Sequence, residues 1–536
     1  MKRKMARLLA ASVLCAQCSF GAAYGYTANA KAAGADADAP IGGDLFVNRI
    51  SAEDRQIIEA VTDNFMLLTK VPRPSGYMEK ISPFLLNWAR EQGFDPVQDE
   101  ALNIIFDVPA TAGMESLPLC VLQGHMDMVC VGVDGKQYDP QNDPITVIRD
   151  DVAGTLTADG TSLGADDGAG VAIIMAVAQG RMAHGPIRVI ITVTEETTMY
   201  GVQHLDKKYV QDAAYLINID SEESDIVTVS SAAGANVIVT SDVKSHAPEG
   251  DAAAVITLSG LTGGHSGMDI GKGRLNAIRE LGDALTTAGV SYEVASISGG
   301  SANNAIPTKA DITVAFAKKD REKFRAYVSA MNASLHKQYA GVENGLTLSM
   351  ADCALPKAVV AKEDVRRARK FAEEIINGVY TMSKDYEGLV ESSSNLGVFS
   401  LSPEKGLYAA TYVRSSRGEL LETIKKQQIG VAESCGFAWK EVRISDPWPF
   451  NPDSKLLALT KQVYRELNGK DIKVEAVHAG LECGEFSMMN PRLDIVSIGP
   501  DVVNVHSPGE TLYLASIPKT WRLLEGLLHG ISQEQE

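Results

Sequence analysis

Leu117-Pro118-Leu119-Cys120-Val121-Leu122-Gln123 is a short apolar run that passes directly into Gly124-His125-Met126-Asp127. A run of this length bounded by turn residues reads as a strand buried on both faces, which places the polar groups after it at the strand's carboxyl end. The pattern recurs: Ile187–Thr194 runs into Glu195-Glu196, and Ala213–Ile219 runs into Asp220. Between them, Leu163-Gly164-Ala165-Asp166-Asp167-Gly168-Ala169-Gly170 is an acidic, glycine-rich loop opening a helix over Gly168–Gln179. Strands separated by helices predict an α/β fold with a mostly parallel, helix-covered sheet. In such sheets ligands collect in the crevice beyond the carboxyl ends of the strands.

Upstream, the apolar spacing of Ile57, Ile58, Val61, Phe65 and Met66 predicts an amphipathic helix over Ala52–Leu68. A second helix is expected over Pro83–Gln92, with Ser82 as cap and Pro83 at the first helical position. After about Ser230 the texture changes. Ala253–Ser259, Leu275–Thr287, Tyr292–Ser298, Asp311–Ala317 and Lys323–His336 read as β-α-β-β-α. A comparable order returns with a helix at Val365–Ile376, strands at Leu396–Leu401 and Leu407–Val413, a helix at Leu420–Ala432 and a strand at Ala438–Ile444. Two related α+β units therefore form an inserted domain, residues 233–445, of ordinary domain size. The proline-rich Pro447–Pro452 marks the return to the first domain, residues 45–232 and 446–536, completed by Val474–Ala476, Ile495–Ile498 and a helix at Ile517–His529.

The 536 residues are 45% hydrophobic and 22% charged, which excludes wholesale disorder. The net charge of −18 and the lack of a basic stripe with interleaved aromatics argue against nucleic acid as a partner. Residues 1–30 stand apart: Lys2, Arg3, Lys4 and Arg7 precede a short apolar centre, Leu8–Ala23, and Ala28-Asn29-Ala30 offers a cleavage site. This is the layout of a secretory signal peptide, so the expected location is periplasmic or extracellular. No later apolar run is long enough to span a membrane. Beyond residue 30 the cysteines are Cys120, Cys130, Cys353, Cys435 and Cys483, scattered and without a Cys-x-x-Cys pair, which fits neither a disulfide framework nor a zinc ribbon.

The groups gathered at the strand ends are His125, Asp127, Asp166, Glu195, Glu196 and Asp220, and Asn504-Val505-His506-Ser507-Pro508-Gly509-Glu510 adds a second imidazole. Carboxylates converging on one crevice repel one another unless cations neutralise them. Two imidazoles with carboxylates suit zinc, which takes nitrogen and oxygen ligands, whereas calcium favours oxygen alone. Two ions sharing one carboxylate would account for a set of this size. Other chemistries fail: Gly264-His265-Ser266-Gly267 lacks the Gly-x-Ser-x-Gly spacing, Gly267–Gly273 lacks the phosphate-loop spacing, and no His-Glu-x-x-His is present.

Taken together, Gly124–Val129, Leu163–Gly168, Glu195-Glu196, Ile219–Glu223, Gly263–Gly267, Asn304–Pro307, His478–Gly484 and His506–Pro508 resemble the aminoacyl-histidine dipeptidases, PepD-type dinuclear zinc peptidases. The resemblance spans roughly Phe46 to Gly530. It implies two Zn2+ per chain held by His125, Asp166, Glu196, Asp220 and His506, with Asp166 as the bridge. It implies Asp127 as the carboxylate orienting His125, and Glu195 as the general base. It further implies that the insertion is a lid and homodimerisation domain from which His265, Asn304 and Arg414 reach a small peptide substrate, Arg414 taking its terminal carboxylate.

Three positions depart from the family pattern: Asp167 stands where asparagine is usual, Thr198 where glycine is common, and Gly271 where histidine is frequent. These put dipeptide preference in question more than hydrolysis. The expected activity is cleavage of short unblocked dipeptides, Xaa-His among them. An amidase or deacylase of N-acyl amino acids on the same core, and a non-catalytic peptide-binding relative, are the alternatives.

Overall fold

The computed structural model describes residues 45–384, 386 and 388–531; the signal-type segment 1–30 lies outside them. Two large sheets divide the chain. The first has eight strands in the order Val97–Gln98, Ile104–Val108, Ile187–Thr192, Cys120–His125, Tyr215–Asn218, Asp494–Ser497, Ile226–Ser231, Lys473–Val477. Its centre is parallel: Cys120–His125 pairs in parallel with Ile187–Thr192 and with Tyr215–Asn218, which pairs in parallel with Asp494–Ser497. The last of these comes from the far end of the chain, yet it sits between strands from residues 215–231.

The helix Ala165–Ala176 packs on the Cys120–His125 strand and on Ala52–Leu68. Ala169, Val171, Ala172, Ile173, Ile174 and Met175 are all buried, so apolar residues surround this helix on every side, as its interior position requires. The helix Ala52–Leu68 begins at a true cap, Ser51 Oγ accepting the Asp54 amide at 2.9 Å. The next helix corrects the expected start. It runs Ile81–Glu91, and Ser82 lies inside it, buried, with its hydroxyl donating to the Leu102 carbonyl at 2.6 Å instead of capping.

The second sheet is antiparallel, in the order Thr347–Cys353, Ala252–Ser259, Ala310–Phe316, Tyr292–Gly299, Val390–Ser402, Gly406–Ser415, Ala233–Ser241, Ala438–Ser445, with Gly378–Met382 attached to Val390–Ser402. The two α+β units of the sequence are fused into it, joined where Ile297–Gly299 pairs with Phe399–Leu401. A third, four-stranded sheet, Val502–Val503, Thr511–Tyr513, Thr155–Ala158 and Val147–Asp150, decides the position of the site. It sets the 504–510 loop beside the loop that follows residue 158.

Candidate active site

His125 ends its strand, and Glu195 and Asp220 follow within three residues of theirs, so three neighbouring parallel strands present polar groups at one edge. Asp166 enters from the head of the buried helix, brought close by glycine: a Cβ at Gly170 would lie 2.0 Å from the Ile219 carbonyl, just ahead of Asp220. The two oxygens of Asp166 face opposite ways. Oδ1 is 3.1 Å from His125 Nε2, and Oδ2 is 3.1 Å from His506 Nε2. His125 Nε2 is also 3.4 Å from Asp220 Oδ1, and His506 Nε2 is 2.9 Å from Glu196 Oε2. Ligand atoms of His125, Asp166 and Glu196 lie within 4.8 Å of one another.

The electrostatics of this cluster demand positive charge. Burial opposes protonation of His506, but Asp166 and Glu196 outweigh it and raise its pKa to about 11. His125 is likewise raised well above the usual histidine value against its burial, chiefly by Asp220. Asp166 sits well below the usual carboxylate range because two imidazoles outweigh its burial. Glu196 is pushed up to about 7 by burial and by Asp166, and Asp220 is raised by burial. A carboxylate shared between two imidazoles, with one further carboxylate on each side, is a donor set that fits two divalent ions with nitrogen and oxygen ligands.

Asp127, fully buried, lies against His125 and also holds the neighbouring turn. His125 Nδ1 is 3.1 Å from the Asp127 main-chain carbonyl and 3.6 Å from the carboxylate. The carboxylate also accepts from the Glu195 amide at 3.0 Å and from the Ser75 hydroxyl at 2.5 Å. It therefore pins the Glu195-Glu196 turn, which Thr194 enters with φ of 59°, a left-handed backbone that is rare for a β-branched residue and recurs at functional sites. Burial and the neighbouring Glu196 and Asp220 raise the Glu195 carboxyl well above its usual value.

Three buried residues with no role in the sequence reading hold the loops. Glu510 accepts the main-chain amides of Leu163, Gly164, Ala165 and Asp166 at 2.6 to 3.2 Å. Arg73 donates to the carbonyls of Met126 and Asp127 and to that of Gly164. Glu482 accepts from Gln123 Nε2 and Thr192 Oγ1, each at 2.6 Å, just behind the ends of two ligand-bearing strands. Glu510 and Glu482 lie within quoted motifs, but only the fold reveals their partners.

Arg414 stands in the second sheet, and His265 and Asn304 belong to a separate two-stranded ribbon packed beside it. Gly264-His265 pairs with Ala305-Ile306, and the Ser266 amide donates to the Asn304 carbonyl at 2.8 Å. Arg414 is 4% exposed, with Nε 3.4 Å from Ser266 Oγ, a terminal nitrogen 3.2 Å from His265 Nε2, and its guanidinium 4.1 Å from the Tyr412 ring centroid. Among the described residues it forms no ion pair with a carboxylate. The Asn304 side chain is exposed.

Residues 121–530 match the model of peptidase family M20/M25/M40. The chain belongs to that family. It is 33% identical over 477 residues to the cytosol non-specific dipeptidase of Escherichia coli K12, covering 88% of this chain and 97% of that relative. The aminoacylhistidine dipeptidase of Vibrio alginolyticus superposes with a TM-score of 0.79 at 32% identity, covering 88% of this chain and 98% of that one. A tripeptidase of Staphylococcus aureus, at 16% identity and a TM-score of 0.51, shares the M20 fold.

Proposed function

We propose that this peptidase is an exported dinuclear zinc dipeptidase that cleaves short unblocked dipeptides, Xaa-His among them, and works as a homodimer through the inserted domain. The observation that carries the dipeptide assignment is Arg414, a cation buried without an acidic partner. An unpaired buried charge costs several kcal/mol, so its retention points to an anion that arrives with the substrate. The Met268 amide donates to His265 Nδ1 at 3.1 Å, which leaves the ring proton on Nε2, facing the guanidinium. Two donors thus face one another, and an oxygen placed between them satisfies both. Burial and Arg414 lower the His265 pKa to about 4, so the ring donates as a neutral group.

His125, Asp166, Glu196, Asp220 and His506 would hold the ions, which supply Lewis acidity and lower the pKa of an attacking water when bound. Glu195, raised in pKa and pinned through its amide by Asp127, holds the proton taken from that water and returns it to the leaving amine. The names of the Escherichia coli and Vibrio relatives support dipeptides as substrates and Xaa-His among them. The charged start and apolar centre of residues 1–30 support export, and amino-terminal sequencing should place the mature terminus between roughly residues 23 and 33.

The function is tested by assaying zinc-loaded protein on free dipeptides, carboxyl-amidated dipeptides, tripeptides and N-acyl amino acids, with elemental analysis alongside. Fast cleavage of free dipeptides alone, with two zinc ions per chain, is expected. Preference for N-acyl amino acids would assign a deacylase, and a single ion would remove the dinuclear centre.

A further inference from the structure

The segment His478–Glu485 follows the first-sheet strand Lys473–Val477, yet its residues hold several different parts of the molecule. Glu482 stands behind His125 and Glu195, as described. The Ala479 carbonyl accepts the Ala232 amide at 2.9 Å, where the chain first passes between the sheets. Glu485 accepts the Asp446 amide at 2.9 Å, where it returns. His478, 5% exposed, reaches across the boundary: its Nε2 is 2.7 Å from Ser393 Oγ.

Ser393 lies directly opposite Arg414 in the ladder between Val390–Ser402 and Gly406–Ser415. The other support of Arg414 is the His265-Ser266-Gly267 turn, and His478 touches that as well. A Cβ at Gly267 would stand 2.0 Å from the His478 carbonyl oxygen, so only glycine lets the two backbones pack this closely. His478 therefore meets both flanks of the Arg414–His265 pair, its side chain on one and its main chain on the other. Burial, with Arg414 and His265 adding to it, lowers its pKa to about 3, so a neutral ring bears on the pair at working pH.

We propose that His478 is a positioning residue: carried on the segment whose Glu482 backs the ligand-bearing strands, it fixes Ser393 and the His265 turn, and through them sets where Arg414 stands relative to the acidic cluster. The inference rests on the dipeptidase reading, in which Arg414 takes the substrate carboxylate. A side chain that only packed would weaken every substrate alike. One that positions the guanidinium affects substrates that carry the carboxylate.

The test is steady-state kinetics of the zinc-loaded enzyme on a free dipeptide and its carboxyl-amide, for His478→Leu, His478→Gln and Ser393→Ala, with Arg414→Ala as reference. His478→Leu should raise KM for the free dipeptide roughly tenfold, leave the amide's KM unchanged and hold kcat within about twofold. His478→Gln, whose amide still reaches Ser393, should restore most of the loss. Ser393→Ala should reproduce it from the other side of the contact, and it answers the question even where His478→Leu fails to fold. Combined with Arg414→Ala, His478→Leu should add nothing further. Equal losses on both substrates, or fully additive losses in the double variant, would overturn the proposal. If Arg414→Ala alone leaves the discrimination intact, the clamp reading falls and takes the positioning with it. If Arg414→Ala abolishes discrimination while His478→Leu and Ser393→Ala keep it, only the positioning falls.

Discussion

Four histidines divide between the acidic cluster and the Arg414 site, and the same side chain is driven in opposite directions. His125 and His506, ringed by Asp166, Glu196 and Asp220, have raised pKa values. His265, half-buried, and His478, buried, lie beside Arg414 and fall to about 4 and about 3. The first surroundings call for cations and the second for an anion. Two sites of opposite demand on one molecule suit a substrate whose scissile bond lies close to a free carboxylate.

The contrast can be broken most severely at the shared carboxylate. Asp166→Ala should remove both ions and all turnover, measured by elemental analysis and assay, whereas losing a terminal ligand such as Asp220 should spare one ion. Next in size, Glu195→Gln should keep its metal while kcat falls by roughly 10²–10⁴; Glu196→Gln should lose metal instead. Unchanged turnover in Glu195→Gln would remove it as the base. At the cationic site, Arg414→Ala should raise KM for free dipeptides by about 10–100-fold, the worth of a charge-assisted hydrogen bond to a buried carboxylate, and change amidated dipeptides far less.

The smallest effect sharpens the division of the histidines. At pH 7 a His506 with pKa about 11, and a raised His125, carry protons that an incoming ion must displace, while His265 and His478 are already neutral. Zinc titration into metal-free protein in weak buffer should therefore release at least two protons per chain, two from the imidazoles and a further share from Glu196, whose pKa of about 7 leaves it part-protonated, followed with an indicator dye. Uptake, or no release, would place the imidazoles on the wrong side of their titration.

The acidic cluster was the legible part of the sequence, because each of its strands is a dense apolar run ending in a charged residue. The inserted sheet was harder. The expected strand begins only at Leu396 and leaves Ser392-Ser393-Ser394-Asn395 unassigned. In the structure the strand starts at Val390, and its buried polar side chains are satisfied one by one: Ser392 by Thr381, Ser393 by His478, Ser394 by Gln428 Nε2 at 2.6 Å, Asn395 by the Ala305 carbonyl at 2.7 Å. Such partners lie 11 to 90 residues away and leave no local periodicity. Ala233–Ser241 escaped for a related reason, its small residues Gly234 and Ala235 pairing through main chain on both edges. Arg73 and Glu510 support the site wholly through main-chain groups of distant loops, a contact that residue type alone does not announce.

The hairpin that carries Glu510 and His506, like the strand Asp494–Ser497 that slots into the middle of the first sheet, belongs to the final stretch of the polypeptide. The order of synthesis is therefore the reverse of the order of need. His125, Asp166, Glu196 and Asp220 are synthesised early, but the Leu163–Asp166 loop lacks its anchor until residue 510 has been added. Domains that fold as they are made finish from the amino-terminal side. Here His506 and the Glu510 anchor come from a segment far beyond Asp220, so the earlier acids stand without their fifth partner until that segment joins them.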